Sequence, residues 1–219
     1  MRSVGITVAF FCLFILSGPA QGPNLPITFE TPKSWNLLES KDQRGSKYFL
    51  YEIKSIRNAG KSSVPSNALV TLYKIAEGVS FADADSIVNS RLKNATAIAS
   101  GQDGENWKTY IYATYEGTQQ VIILYRIGMQ NGYGVEAMIS FPHVAVKNNK
   151  TFKLLALEES AVKSESITGL LCNPTTVSEM VDLFNDFCSK LKISGTNRFY
   201  SRVKLIDPRQ GAKYYHKVD

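Results

Sequence analysis

Three hydrophobic runs between Trp107 and Phe141 form the clearest pattern in the chain. They read WKTYIYATY, VIILYRIGM and YGVEAMISF, and they are rich in the aromatic and β-branched residues that favour strands. A Glu-Gly pair and then Asn131-Gly132 separate them, and Asn-Gly favours the type I′ turn between antiparallel strands. The pattern therefore predicts an antiparallel three-stranded meander. Because side chains alternate along a strand, aromatic residues of the first run fall on both of its faces, which predicts that both are covered.

Shorter hydrophobic patterns predict further strands. The run ITFETPKSW, from Ile27 to Trp35, predicts a short strand that Pro32 ends, with Trp35 covering the core. The runs KYFLYEIK and ALVTLYKI predict strands over Lys47 to Lys54 and Ala68 to Ile75. Between Pro142 and Leu171 the run FKLLALEESAV fits a helix and a strand equally well, so the structure of that segment stays open.

Two amphipathic helices are predicted. Ser80 is a favourable N-cap, Asp83 places negative charge in the first turn, and apolar residues then recur at helical spacing as far as Ala95. The sequence Thr176-Val177-Ser178-Glu179 is a capping box, and the apolar stripe that follows it reaches Leu191. We expect both helices to pack on the predicted sheet, because each has an apolar stripe to bury.

The first twenty residues have the order of a secretory signal peptide. Arg2 precedes the apolar run Val4 to Leu16, and small residues up to Ala20 follow it, so cleavage is expected after Ala20. An uncleaved membrane anchor is the alternative, but the run is short against the roughly 20 residues that span a bilayer. The expected organisation is a signal peptide over 1–20, a single domain over 21–195 and a basic tail over 196–219. The expected location is secreted or periplasmic, with no transmembrane segment after cleavage.

The composition is that of a folded protein. The chain has 219 residues, of which 44% are hydrophobic and 20% charged, and this excludes a disordered tail, a collagen and a polytopic membrane protein. Its formal net charge of +6 favours anionic partners but affects encounter rates and solubility more than ligand identity. No nucleic-acid partner is expected.

Residues for general acid and base chemistry are few. The chain has two histidines, His143 and His216, and it contains no HExxH, CxxC or GxSxG motif. We expect no metal, no cofactor and no catalytic set, and we interpret His143 as a surface loop residue. One alternative stays open, in which His143 is the base of a small secreted hydrolase whose nucleophile is Cys172 or a serine.

Two cysteines, Cys172 and Cys188, remain after the signal peptide is removed. An even count in an exported chain favours a disulfide. If the helix begins near Thr176, however, Cys188 lies about 18 Å along it, and a bridge needs the two Cα atoms within about 7 Å. A disulfide and two buried thiols therefore stay equally open.

Basic residues gather in one loop and in the C-terminal tail, where tyrosines accompany them. Cations beside aromatic rings can bind an anionic polymer or a lipid headgroup surface, and they are equally typical of a solvated loop and a frayed end. The possible contacts with an anionic partner are Lys54, Arg57 and Lys61 in the loop and Arg198, Arg202 and Lys204 in the tail.

The order of these patterns resembles the PsbP-like superfamily. The resemblance depends on Phe29, Pro32 and Trp35, then on Gly104 to Phe141, and finally on Val177 to Ile193. It implies an α+β fold in which an antiparallel sheet carries helices on its faces, an α/β/α sandwich. Members of this group are mostly non-enzymatic binding or assembly factors, and no functional residue of the group can be transferred to this chain. Fold alone does not establish function.

The leading functional hypothesis is an exported, non-catalytic accessory or binding protein whose partner is a protein or an anionic surface component. Two alternatives remain. One is the small hydrolase described above, and the other is a protein that binds anionic surfaces through its basic tail.

Overall fold

The computed structural model describes most of the chain between its two termini. The described residues are 25–43, 45–53, 66–143, 152–157, 170–193 and 201–207. The predicted signal peptide lies outside them.

A seven-stranded antiparallel sheet is the largest unit of the fold. It follows the two-residue strand β1 (Ile27–Thr28), and its spatial order is β2-β3-β4-β8-β7-β6-β5. The strands are β2 (Trp35–Gln43), β3 (Ser46–Ile53), β4 (Ser66–Lys74), β5 (Thr96–Asp103), β6 (Trp107–Glu116), β7 (Gln119–Gln130) and β8 (Tyr133–Pro142).

The predicted meander is confirmed. Strands β6, β7 and β8 pair in sequence, and Asn131 and Gly132 in the turn between β7 and β8 have φ values of 53° and 78°. Positive φ at both positions is what a type I′ turn requires. The strands predicted near residues 47 and 68 are also present. The first predicted strand is present as the two-residue β1, which ends at Thr28, before Pro32, and Trp35 is buried in the core at the start of β2.

Two smaller sheets are also present, and they include residues from the segment left open and from the predicted C-terminal tail. Strands β9 (Lys153–Leu157), β10 (Leu170–Cys172) and β12 (Val203–Ile206) form one sheet, in the order β10-β9-β12. Strand β11 (Lys192–Ile193) pairs with β1. The domain boundary at residue 195 stays a prediction, but part of the segment beyond it is strand and core, since Val203 in β12 is 1% exposed.

Two α-helices are described. A 3-10 turn (Phe81–Asp83) leads into α1 (Ala84–Arg91), and the Ser80 amide donates to the Asp83 carboxylate at 2.8 Å, as its capping role predicts. Helix α1 ends before the predicted limit. The second helix, α2 (Pro174–Lys190), begins two residues before the predicted capping box. Proline suits the first helical position, where no amide hydrogen is needed.

The predicted fold class, an α+β chain built as an α/β/α sandwich with helices packed on the sheet faces, is wrong. The described residues are mainly β-structure, with a seven-stranded antiparallel sheet and two helices of eight and seventeen residues. The cause is the segment between Pro142 and Leu171, whose sequence fits a helix and a strand equally well. It forms strands β9 and β10, and with β12 they make a second small sheet whose apolar residues join the same core as α2.

Buried residues form two clusters. The larger contains side chains from the main sheet, α2 and the small sheet, among them Leu124, Leu155 and Phe184, all at 0% exposure. The smaller contains Tyr110 and Val88 of α1. The alternation predicted for β6 is confirmed, because its two sets of side chains divide between the two clusters.

Two glycines allow aromatic rings to lie across the main sheet. Gly128 is paired with Trp107, and Gly134 is paired with Tyr73. A Cβ atom at Gly128 would lie 2.5 Å from the Trp107 ring, and one at Gly134 would lie 2.4 Å from the Tyr73 ring. In each case the ring covers the backbone of the strand beside it, which is how an aromatic neighbour stabilises a glycine in a sheet.

The close approach of Trp107 to Gly128 generates a prediction. We expect Gly128→Ala to lower the free energy of unfolding by about 1–3 kcal/mol, since the added methyl group displaces a packed ring. Urea denaturation measures the change. The control is the same substitution in a Trp107→Leu background, where the loss should be clearly smaller. An equal loss in both backgrounds would contradict the proposed contact.

Candidate functional site

An open groove lies between α2 and β12, with a volume of about 320 Å³. We call it the α2–β12 groove. Helix α2 supplies one wall, and β12 with the residue before it supplies the other. The lining residues are Ser178, Val181, Asp182 and Asn185 on the helix and Arg202, Val203, Lys204 and Leu205 on the strand side.

Helical periodicity explains the polar wall. Ser178, Asp182 and Asn185 are spaced by four and three residues, so they form one stripe along α2. The opposite stripe of the helix, which includes Phe184 and Phe187, is buried in the larger core cluster. The helix therefore keeps its apolar side in the core and presents this polar stripe toward β12.

The side chain of Asn185 fixes β12 beside the helix. It is 4% exposed, its Nδ2 donates to the carbonyl of Val203 at 2.7 Å, and the Val203 amide donates to its Oδ1 at 3.2 Å. On its other edge β12 pairs with β9, where Val203 lies opposite Leu157. The amide of Asn185 thus takes the place of a neighbouring strand and satisfies backbone groups that would otherwise be buried without partners.

Opposite charges face each other across the α2–β12 groove without pairing. Asp182 and Arg202 are both exposed, and within the described residues neither takes part in an ion pair at 4.0 Å or less. Lys204 adds a second, half-buried cation to the strand wall. The groove is therefore acidic on one wall and basic on the other.

A buried ion pair holds the segment that leads into β12. The Arg126 guanidinium bonds the Asp103 carboxylate, and both side chains are almost fully buried. Asp103 also accepts the backbone amide of Ser201 at 2.5 Å and the Thr109 hydroxyl at 3.3 Å. The carboxylate in the main sheet thereby positions the backbone next to Arg202. The guanidinium carbon lies 4.6 Å from the centre of the Trp107 ring, a cation–π contact.

The predicted basic contacts divide into two groups. Arg202 and Lys204 lie on the strand wall of the groove, where the acidic side chain of Asp182 faces them. The other four, Lys54, Arg57, Lys61 and Arg198, lie outside the described residues. Their role as anionic-partner contacts stays a prediction.

Both predicted disulfide partners are buried free thiols in the structure, and the bridge between them stays a prediction. Burial raises the pKa of Cys172 to about 12 and the pKa of Cys188 to about 12. A nucleophilic cysteine needs thiolate at neutral pH, so a pKa that high gives Cys172 no activation. This weakens the hydrolase alternative that paired it with His143.

His143 is not the surface loop residue that the sequence indicated, because it is only 8% exposed. It follows β8 directly, its amide donates to the Gln120 carbonyl at 2.7 Å, and its own carbonyl accepts from the Gln119 side chain at 2.7 Å. Neither ring nitrogen has a partner of normal hydrogen-bond geometry among the described residues. Burial lowers the pKa of His143, and a backbone contact with Leu171 opposes that shift.

A second polar cluster lies under α1 on the other face of the sheet. Arg91 of the helix approaches Glu136 of β8, with Nε 2.6 Å from Oε2, and the Tyr125 hydroxyl donates to the same carboxylate. Burial, and after it the neighbouring Glu136 carboxylate, raises the pKa of Tyr125, so its hydroxyl stays protonated. Tyr110 and Tyr112 reach the helix in the same way through Asp85 and Asn89. The cluster attaches a short helix to the sheet.

Sequence reasoning missed the acidic wall of the groove and the three buried charges of the main sheet, Asp103, Arg126 and Glu136. Asp182 and Asn185 lie outside the apolar stripe that predicts α2, and nothing in the sequence says that a strand lies beside them. Arg126 and Glu136 carried a usable signal, since each is a lone charge inside an apolar strand, and such residues are rarely buried without a partner.

In the ranges that the structure describes, no three His, Cys, Asp or Glu side chains come together in a group that could hold a metal ion. The same ranges contain no helix with the length and apolar character needed to cross a membrane.

Comparison with solved structures gives a coarse likeness of fold. No protein-family model and no curated protein matches the chain. A solved structure of LpqN, which is involved in cell envelope biogenesis of Mycobacterium tuberculosis, is similar with a TM-score of 0.41 and 10% sequence identity, over 77% of this chain and 83% of LpqN. This likeness is one of coarse fold alone and transfers no residue role, and the resemblance to PsbP-like proteins stays a prediction.

The buried ring of His143 predicts that stability depends on pH. The folded state disfavours the protonated ring, so the unfolded chain takes up this proton first as the pH falls below the ordinary pKa of about 6.5. The stability of the wild type should therefore decrease below about pH 6.5 and level off below the folded-state pKa.

Urea unfolding of wild type and His143→Phe between pH 8 and pH 5 measures this effect. We expect the wild type to lose more free energy of unfolding than the variant over that range. His216 is present in both proteins, so its titration cancels. Parallel pH profiles would show that the ring does not carry the effect.

Proposed function

We propose that this chain is an exported, non-catalytic binding protein that holds its ligand in the α2–β12 groove. The observation that carries the proposal is the pair of opposed, unpaired charges, Asp182 and Arg202, on the two walls of one groove. Opposite charges attract each other, and each of these two side chains lacks an ion-pair partner among the described residues. A ligand that carries charge could therefore lie between them and pair with both.

The chemistry of the lining favours binding over catalysis. Of the described residues that line the groove, Ser178 has the only hydroxyl, and none is a histidine or a cysteine. A serine nucleophile needs an adjacent base that accepts its proton. The groove supplies charges and apolar contacts, which are the groups that orient and hold a ligand.

Export is proposed on the charged, apolar and small-residue order of residues 1–20. An exported binding protein meets its ligand outside the cytosol. Buried thiols suit such a location, because thiols that are protonated and covered react slowly with oxidants.

Binding in the groove can be mapped directly. The protein over residues 21–219 would be titrated with leucine, succinate, putrescine and inorganic phosphate, and backbone amide shifts would be followed by NMR. We expect at least one probe to shift the amides of Asp182, Asn185 and Val203 in a saturable way, and Arg202→Gln to weaken that binding.

The matched control for this experiment is Lys192→Gln, which removes an exposed cation from β11 outside the groove. It should bind like the wild type. Saturable shifts confined to other parts of the molecule, or no saturable shift with any of the four probes, would overturn the proposed binding site.

Export is tested separately. When the full chain is expressed in a host with a secretory pathway, N-terminal sequencing of the exported protein should find Gln21 as the first residue. Deletion of residues 3–16 should leave the protein in the cytosol, because the apolar run is the part that the export machinery recognises. An uncut chain held in the membrane fraction would support the anchor alternative instead.

A further inference from the structure

We propose that the ligand of the α2–β12 groove is a small zwitterion with an apolar body, of the size of an amino acid or a dipeptide, whose ammonium group lies beside Asp182 and whose carboxylate lies beside Arg202. This inference rests on the proposed function and specifies its ligand. The juxtaposition of an acid and a base on opposite walls of a groove that apolar side chains also line carries it.

The two walls discriminate against ligands with a single charge. A simple anion would be attracted by Arg202 and Lys204 and repelled by Asp182 across the groove. A simple cation would be attracted by Asp182 and repelled by Arg202 and Lys204. A ligand with both charges gains on both walls, so its affinity exceeds that of either single-charge analogue.

Apolar side chains also line the groove. They are Val181 on the helix side and Val203 and Leu205 on the strand side. Val181 and Val203 are 4% and 1% exposed, so the half-buried Leu205 offers most of the apolar surface that an aliphatic body could contact. The volume of about 320 Å³ lies at the lower end of the range for small-molecule sites, roughly 300–1,000 Å³, and is large enough for one or two residues.

The strand wall is held in place before any ligand arrives. The backbone of Arg202 lies between two anchored residues, Ser201 on the Asp103 carboxylate and Val203 on the Asn185 side chain. Binding therefore has to order the Arg202 side chain but not its backbone. A wall that is ordered in advance loses less conformational entropy on binding.

Three matched probes separate the two charges. Leucine carries both, N-acetyl-leucine keeps only the carboxylate, and leucinamide keeps only the ammonium. With calorimetry or NMR titration on the protein over residues 21–219, we expect leucine to bind about fivefold more tightly than either blocked form, because an exposed charge contributes up to about a factor of five.

Two single substitutions test which charged group of the ligand lies beside Asp182 and which lies beside Arg202. Asp182→Asn should weaken the binding of leucine and leucinamide while leaving N-acetyl-leucine unchanged or slightly stronger. Arg202→Gln should weaken the binding of leucine and N-acetyl-leucine but not that of leucinamide. The expected losses are about fivefold. Glu179→Gln on α2 and Lys192→Gln on β11 are the controls, and both should bind all three probes like the wild type.

The outcomes separate this inference from the proposed function. If N-acetyl-leucine binds as tightly as leucine and Asp182→Asn has no effect, the groove is an anion site and the zwitterion is wrong, although groove binding stands. If leucinamide binds as tightly as leucine and Arg202→Gln has no effect, the groove is a cation site and the zwitterion is again wrong. If leucine binding is saturable but both substitutions leave it unchanged, the ligand lies elsewhere and both proposals fail. Both variants change exposed side chains, and circular dichroism would confirm that they fold.

Discussion

The buried ion pair between Arg126 and Asp103 constrains the rest of the structure. Two charges inside an apolar core are costly unless every donor and acceptor around them is satisfied, and loss of one partner typically costs about 3–5 kcal/mol. Here Asp103 takes donors from Arg126, from Thr109 and from the Ser201 backbone, and the Trp107 ring covers the guanidinium. Strands β5, β6 and β7 supply all of these groups except the Ser201 amide, which comes from a residue almost a hundred positions after Asp103 in the chain.

That last donor links the main sheet to the groove. Ser201 packs over Gly101, where a Cβ would lie 2.8 Å from its hydroxyl oxygen, so the segment before β12 can sit directly on the sheet. The strand β12 that follows is fixed on both edges, by β9 on one side and by Asn185 of α2 on the other. The distance between the helix wall and the strand wall of the groove is therefore determined by buried contacts, whereas the charges on those walls are exposed.

The parts of the fold that the sequence predicted are those that local patterns specify. The meander has long runs and an Asn-Gly turn, and α2 has a broad apolar stripe, so both could be recognised without knowing their neighbours. Strand β5, with the sequence TAIASGQD, has small and polar residues and depends on its pairing with β6. Strand β12 joins the small sheet by pairing with β9, whose residues lie some fifty positions earlier in the chain. Neither this pairing nor the opposition of Asp182 and Arg202 has a local signature. The α/β/α expectation failed for the same reason.

An acidic wall has a specific consequence in a chain of positive net charge. A basic protein attracts anions of every kind, so Arg202 and Lys204 alone would not distinguish a ligand from the many small anions around it. Asp182 changes this, because a carboxylate across the groove repels an anion that brings no positive charge of its own. Specificity is a difference between affinities, and a repulsive group contributes to it as much as an attractive one. The carboxylate can have this role without a cost to the fold, since it is exposed and takes no part in the buried network that positions β12.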